Sequence, residues 1–124
     1  MNFNFNDHYW HDSVLENIFI DRSDPGNNDS IEIVIKWHED NSVSRLVFKN
    51  VYLFKAVMNF GIIANESIDI AYIAPSDDND LVDFYSKWKG AYDHISLNCY
   101  VIKTSSTGSE IKILAETVEE VHLQ

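Results

Sequence analysis

The chain has 124 residues, of which 45% are hydrophobic, and this length and composition fit one globular domain over residues 1–124 and exclude a disordered chain. It carries 20 acidic and 9 basic side chains, a net charge of −11 at neutral pH. Nucleic acid is therefore excluded as a partner, because its phosphates would be repelled.

Alternation of apolar and polar residues predicts three antiparallel strands in the first part of the chain. The clearest one covers residues 31–37, where every second side chain is large and apolar. A stretch of turn-forming residues at 23–29 connects it to a preceding strand over 14–22. A tight turn at 39–42 leads into a third strand over 43–49.

Residues 51–63 are apolar at nearly every position, which fits a strand buried on both faces or a helix. Their β-branched and aromatic content favours the strand, with Gly61 at a bulge. A short strand follows over 67–73. The last two strands are expected over 94–104 and 110–121, and they are joined by a hairpin loop.

The single helical pattern follows an acidic stretch at 77–80, which supplies an N-cap and favourable negative charge at a helix N-terminus. Gly90 predicts the end of this helix. Its apolar positions recur at helical spacing: Leu81, Phe84, Tyr85 and Trp88. Together the elements predict an α+β fold, mostly antiparallel β-sheet of about six to seven strands, sandwich- or barrel-like, with one helix packed on it.

Cys99 is the only cysteine, so no intrachain disulfide can form, and its alternating position predicts a buried core thiol. The first ten residues contain no Lys or Arg and no apolar run typical of a signal peptide. No run of 18 apolar residues occurs. We therefore expect a cytoplasmic protein with no membrane contact.

One cluster could bind a metal ion, because His8, His11 and Asp12 lie within one short segment and carry ligand side chains. Their spacing matches no established metal motif, and capping of the first strand is the alternative. Asp77, Asp78 and Asp80 do not fit a calcium loop, which needs a glycine and a bidentate glutamate that are missing here. The sequence therefore predicts no cofactor and favours a protein without catalysis.

Negative charge is concentrated where Lys and Arg are absent, over residues 56–86. Such a surface either keeps a small domain soluble or steers a basic protein partner. The candidate partner-binding residues are Glu66, Asp69, Asp77, Asp78, Asp80 and Asp83.

The first half of the chain resembles a family of bacterial immunity proteins from polymorphic toxin systems, the family labelled immunity protein fifty. The resemblance is carried by residues 9–13 (YWHDS), the strand at 31–37 and residues 48–51 (FKNV), together with Leu15, Ile18, Ile20 and Asp21. It implies a cytoplasmic antitoxin-like binding protein without catalytic residues.

Three functions are therefore open. The leading one is an acidic binding protein that neutralises a basic toxin domain by covering its active surface. The first alternative is a small metal-dependent enzyme or metal-binding domain that uses the His8, His11 and Asp12 cluster. The second is a structural domain that associates with itself.

Overall fold

Six antiparallel strands and one α-helix make up the computed structural model, which describes residues 3–123. This confirms the predicted α+β class. Within these residues no helix is long and apolar enough to cross a membrane. The strands are β1 (Val14–Asp24), β2 (Asn28–Lys36), β3 (Val43–Val57), β4 (Ile68–Ile73), β5 (Asn98–Thr104) and β6 (Glu110–Leu123), and the helix is α1 (Asn79–Lys87).

The strands form one sheet in the order β1-β2-β3-β6-β5-β4. Its two edge strands meet at one corner, where Val14 and Ser67 form a β-bridge. Beside this bridge the Ile68 N–H donates to the carbonyl of Ser13 at 2.7 Å, and the Leu15 N–H donates to Glu66 at 3.0 Å. The sheet therefore curls until its edges touch, which makes the fold barrel-like.

Two predicted strands, 43–49 and the first half of 51–63, form the single long strand β3. Asn50 joins them with a φ of 54°, and Tyr52 is the extra residue of a register shift between Val51 and Leu53. Such a bulge bends a strand without ending it. Consequently β3 pairs with β2 as far as Lys49 and with β6 along its whole length.

The second half of the predicted strand 51–63 is a loop, so this part of the prediction was wrong. Gly61 has a φ of 91° and shapes that loop, where it was expected to form a bulge within a strand. A φ in this region is unfavourable for residues with a Cβ atom, which explains why glycine occupies the position. Residues 58–63 therefore cross from β3 towards β4 outside the sheet.

The concave side of the sheet encloses the main core. The chain segment before β1 fills it with Phe3, Phe5 and Trp10, which are buried against Trp37 and Phe48. The Trp10 indole N–H donates to the Phe5 carbonyl at 2.8 Å, and that of Trp37 donates to the Ser44 hydroxyl at 2.9 Å. Both buried indoles are thus satisfied, as burial of a polar group requires.

Helix α1 covers part of the convex side, where Leu81 and Phe84 pack against the alternate face of β5, including Cys99. The Asp78 carboxylate caps the helix by accepting from the backbone N–H groups of Asp80 and Leu81. These features confirm the predicted cap and the buried cysteine. Trp88, however, is the C-cap residue and is 45% exposed, so its predicted place on the buried face was wrong.

Residues 94–97 were predicted as the start of a strand, but β5 begins only at Asn98. The reason is a side-chain contact with α1. The Tyr85 hydroxyl donates to the carbonyl of Ile95 at 2.5 Å and accepts from the N–H of Leu97 at 3.1 Å. These two backbone groups are therefore bonded to the helix and are not free to join the sheet.

The burial of Trp37 generates a stability prediction. Trp37→Ala should lower the free energy of unfolding by about 3–5 kcal/mol, because a large buried ring is lost from a packed core. Trp88→Ala is the matched control and should cost less than about 1 kcal/mol, since Trp88 is half exposed. Equilibrium unfolding in urea measures both, and equal losses would contradict the assignment of Trp37 to the core.

Candidate functional site

The six acids predicted to contact a partner fall into two groups along the fold. Glu66 lies just before β4 and Asp69 within it, whereas the other four lie beyond its end, two of them before α1 and two within the helix. Asp69, Asp77 and Asp83 are exposed. Across residues 3–123 neither Asp77 nor Asp83 takes part in an ion pair. These two acids are therefore available to a partner.

Asp78 and Asp80 instead hold the helix on the sheet. The ammonium group of Lys112, on β6, lies 2.8 Å from a carboxylate oxygen of each, and Lys55 of β3 lies 2.9 Å from Asp80. The side chains of Lys112 and Asp78 are only 15% and 14% exposed. The sequence pattern placed both acids in a binding surface, and it carried no sign of the lysine that pairs with them.

Both carboxyl groups are ionised in this network. Burial of Asp78 acts to raise its pKa, but the hydrogen bonds from Lys112 and the Leu81 N–H outweigh it and lower the pKa. For Asp80 the hydrogen bonds from Lys112 and Lys55 lower the pKa. Burial acts to lower the pKa of Lys112, and its two carboxylate partners reverse this and raise it. The three groups therefore stabilise one another's charges.

Cys99, on β5, lies next to this network. Its sulfur lies 3.6 Å from the Asp78 carboxylate, and the side chain is fully buried. Burial, followed by the negative charge of Asp78, raises the pKa of the thiol to about 12. The thiol is therefore protonated at neutral pH, whereas a nucleophilic cysteine needs an accessible thiolate.

The predicted metal cluster is not assembled. The His8 ring packs against Phe3 at a tilt, with a centroid distance of 4.0 Å, and one of its nitrogens lies 3.0 Å from the Asn4 carbonyl oxygen. His11 lies between two acids, 3.7 Å from Asp12 and 3.7 Å from Asp69. Among the residues that the structure describes, no three His, Cys, Asp or Glu side chains are grouped as metal ligands.

The sequence did not predict a cluster of a serine, a glutamate and a histidine, residue types that occur together in hydrolase active sites. The Ser44 hydroxyl donates to Glu120 at 2.6 Å and lies 3.5 Å from a ring nitrogen of His122. Ser44 is fully buried, and its oxygen already accepts from Trp37. A nucleophilic serine must give its proton to a base and reach a substrate. This hydroxyl therefore acts as a structural group.

The most exposed apolar side chains belong to the residues that were predicted as a buried strand. Phe60 is 84% exposed and Ile63 is fully exposed, and Val57 and Ile62 are more than half exposed. We call residues 57–63, which are the last residue of β3 and the loop that follows it, the apolar loop. The signal that could have revealed it is the pair Asn59 and Gly61, which are turn-forming residues inside the apolar run.

The apolar loop has a defined conformation. Met58 packs against the main core, and the side-chain amide of Asn59 donates to the Thr107 carbonyl at 2.8 Å. The Asn59 backbone N–H donates to the hydroxyl of Ser109 at 3.2 Å. The hydroxyl of Thr107 in turn donates to the carboxylate of Glu66. The 105–109 hairpin thus holds an acid and the apolar loop side by side.

A groove of about 560 Å³ opens between the β1–β2 hairpin and the second half of β3. Its walls combine apolar and aromatic side chains with two carboxylates of the hairpin. The hairpin wall is fixed by Asp29, which accepts from the Gly26 N–H and pairs with Arg22 at 2.8 Å. Gly26 has a φ of 88°, which the tight turn at this point requires.

No protein-family model matches the chain, and no curated protein or solved structure matches it either. The resemblance to immunity proteins therefore depends on the residues of the first half alone. What the structure adds is two accessible features, the apolar loop and the groove, and both involve the second half of β3 or the residues that follow it.

The Lys112 network leads to a second stability prediction. Lys112→Met should lower the free energy of unfolding by about 2–3 kcal/mol, because it removes two charged hydrogen bonds and leaves two carboxylates facing each other. Lys55→Met is the control and should cost less than about 1 kcal/mol, since Lys55 is half exposed. Chemical denaturation at neutral pH compares the two, and equal effects would contradict the network.

The pH dependence should follow the same network. The pKa values of Asp78 and Asp80 are lower in the folded protein than their ordinary value of 3.8. Their contribution is therefore complete only well above pH 3.8, and it is lost as the pH falls through 3.8 and then through the lowered folded-state pKa. Lys112→Met should flatten this part of the stability profile, and an unchanged acid slope would show that other carboxylates dominate it.

Proposed function

We propose that the protein is a non-catalytic binding protein for a basic protein partner, and that it acts in the cytoplasm as an immunity protein that neutralises a toxin domain. The exposed apolar loop carries this proposal. A loop that is anchored at Met58 and Asn59 and still holds Phe60 and Ile63 in water is typical of a contact surface. Large apolar side chains at the centre of an interface supply much of its binding energy.

Charge favours a basic partner for this surface. Glu66 is hydrogen-bonded to the same hairpin that anchors the apolar loop, and no Lys or Arg occurs between residues 56 and 86. The net charge of −11 adds a negative electrostatic potential around the whole molecule. A basic toxin domain would be attracted over long range and then bind through apolar contacts.

The decisive experiment uses the genes beside the one that encodes this chain. The product of the adjacent gene is expressed in a bacterial host with and without this protein, and growth is measured. We expect growth inhibition that this protein relieves, together with formation of a complex between the two purified proteins. A neighbouring product that is harmless, or whose toxicity is unaffected, would refute the immunity function.

The apolar loop can be tested with the same pair. The double variant Phe60→Ser and Ile63→Ser should weaken the complex by about tenfold or more, because two exposed apolar contacts are lost. Its melting temperature should change little, since neither side chain packs in the fold. Isothermal titration calorimetry measures the affinity.

The control for this variant is Val121→Ser, because Val121 is also exposed but lies on β6 opposite Arg45, near the other end of the β3–β6 pair. It should bind the partner like the unmodified protein. A double variant that binds as tightly as this control would show that the apolar loop is not the contact surface.

The two unpaired acids give a kinetic prediction. Asp77→Lys with Asp83→Lys should slow association with the partner and leave dissociation nearly unchanged, because exposed charges act mainly on encounter. The effect should shrink as salt rises and the Debye length falls from about 10 Å to about 3 Å. Stopped-flow mixing measures both rates. Glu39→Lys, in the exposed β2–β3 turn, is the control, and it reverses one charge where the double variant reverses two. Half the effect of the double variant there would point to net charge alone.

A further inference from the structure

The groove beside β3 contains an unfinished sheet edge. Pairing between β2 and β3 stops at Ser30 and Lys49, whereas β3 continues to Val57. Beyond Lys49 only β6 pairs with β3 among the described strands. One side of residues 51–57 therefore presents backbone groups without a neighbouring strand, and residues 51–54 of this edge line the groove.

An open edge of this kind accepts an added strand, because each unpaired N–H and C=O group gains a hydrogen bond. The groove leaves space for it. The β1–β2 hairpin stands away from β3 at this point, and Ile20, on the hairpin wall, is 61% exposed although its neighbour in register, Ile31, is buried. The inner surface of the hairpin is thus uncovered where the edge is open.

The side chains around the edge favour a cation together with apolar groups. Phe54 and Tyr52 line the groove from β3, and Tyr92 stands beside Tyr52 with a ring centroid distance of 5.2 Å. Aromatic rings attract ammonium and guanidinium groups. Asp21 and Asp29 stand on the hairpin wall, and the single cation of the lining, Arg22, is already paired with Asp29.

The acids of the groove are ionised. Hydrogen bonds from the backbone and side chain of Ser23 lower the pKa of Asp21, and those from Gly26 and Arg22 lower the pKa of Asp29. Burial raises the pKa of Tyr52, and the charges of Glu116 and Asp29 add to this effect. The same negative field that disfavours a phenolate would stabilise a cation in the groove.

We propose that an extended cationic segment of the partner pairs with residues 51–57 of β3 as an additional strand and places a Lys or Arg side chain in the groove. This rests on the proposed function, because the segment belongs to the same basic partner. The apolar side chains of the segment would lie on Ile20 and Phe54, while its cation lies near Asp21 and the two tyrosines. A second copy of this acidic chain fits the groove less well, because it carries the same net charge.

The probe is a synthetic peptide of about eight alternating Lys and Val residues with blocked ends, since this is an ordinary strand length. Nuclear magnetic resonance of the isotope-labelled protein should show saturable shifts for the amides of residues 51–57 and of the β1–β2 hairpin. Two further peptides carry N-methyl groups on alternate residues, so that each lacks the N–H donors of one edge of the added strand. Only the peptide whose intact edge faces β3 should bind. A Glu and Val peptide should not bind.

Two variants of adjacent residues give the matched test. Ile20→Arg introduces a cation into the groove and should weaken binding of the Lys and Val peptide by about tenfold. Phe19→Arg makes the same change one residue earlier on β1, where the side chain does not line the groove, and should leave binding nearly unchanged. Both residues are more than half exposed, so both variants should fold.

Equal effects of the two variants, equal binding of both methylated peptides, or shifts confined to another surface would each overturn the inference. Shifts of residues 51–57 that depend on protein concentration without peptide would assign the edge to a second copy instead. The proposed function can be distinguished from this inference. If the apolar loop variant loses neutralisation and the peptide does not bind, the binding function stands and only strand addition is refuted.

Discussion

The pairing of β3 with β6 is the contact on which the rest of the structure depends. It runs from Val43 to Val57 and is longer than any other pairing in the sheet. β2 can follow β3 only to Lys49, because the bend at Asn50 and the bulge at Tyr52 turn the strand away. The same bend that lets the sheet curl into a barrel therefore leaves part of β3 without a second neighbour.

A sheet with this curvature needs separate cover for its two faces. The segment before β1 fills the concave face with aromatic side chains, and α1 covers the convex face over β5 and β6. Lys112 links the second cover to the sheet, because it reaches from β6 to Asp78 and Asp80 at the start of the helix. Acids that give this protein its overall charge thus also hold its layers together, while Asp77 and Asp83 remain exposed to solvent.

Local patterns in the sequence predicted most of the fold, since period-two alternation and the N-cap at Asp78 depend on near neighbours in the chain. They could not resolve residues 51–63, because an apolar run is equally compatible with a buried strand and with an exposed loop whose side chains meet a partner. The acids presented the same difficulty. Whether an aspartate is free depends on a lysine far away in sequence, as Lys112 is from Asp78. The candidate site was therefore only partly predictable. Asp77 and Asp83 were among the predicted acids and are exposed, but the apolar loop and the groove were not predicted, because both arise from tertiary structure.

The position of β6 has a consequence for how the chain folds. It is the last strand in chain order, yet it lies in the interior of the sheet between β3 and β5. Without it, strand ladders would join only β1 with β2 and β3, and β4 with β5, and the described strands of these two groups would meet only around the bridge between Val14 and Ser67. Ile111, Ile113 and Leu114 of β6 are fully buried, so both groups would expose apolar side chains without this strand. Pairing of β6 with β5 is local, across the 105–109 loop, whereas its pairing with β3 joins distant parts of the chain. The contact that unites the two groups is therefore expected to form more slowly than the hairpin.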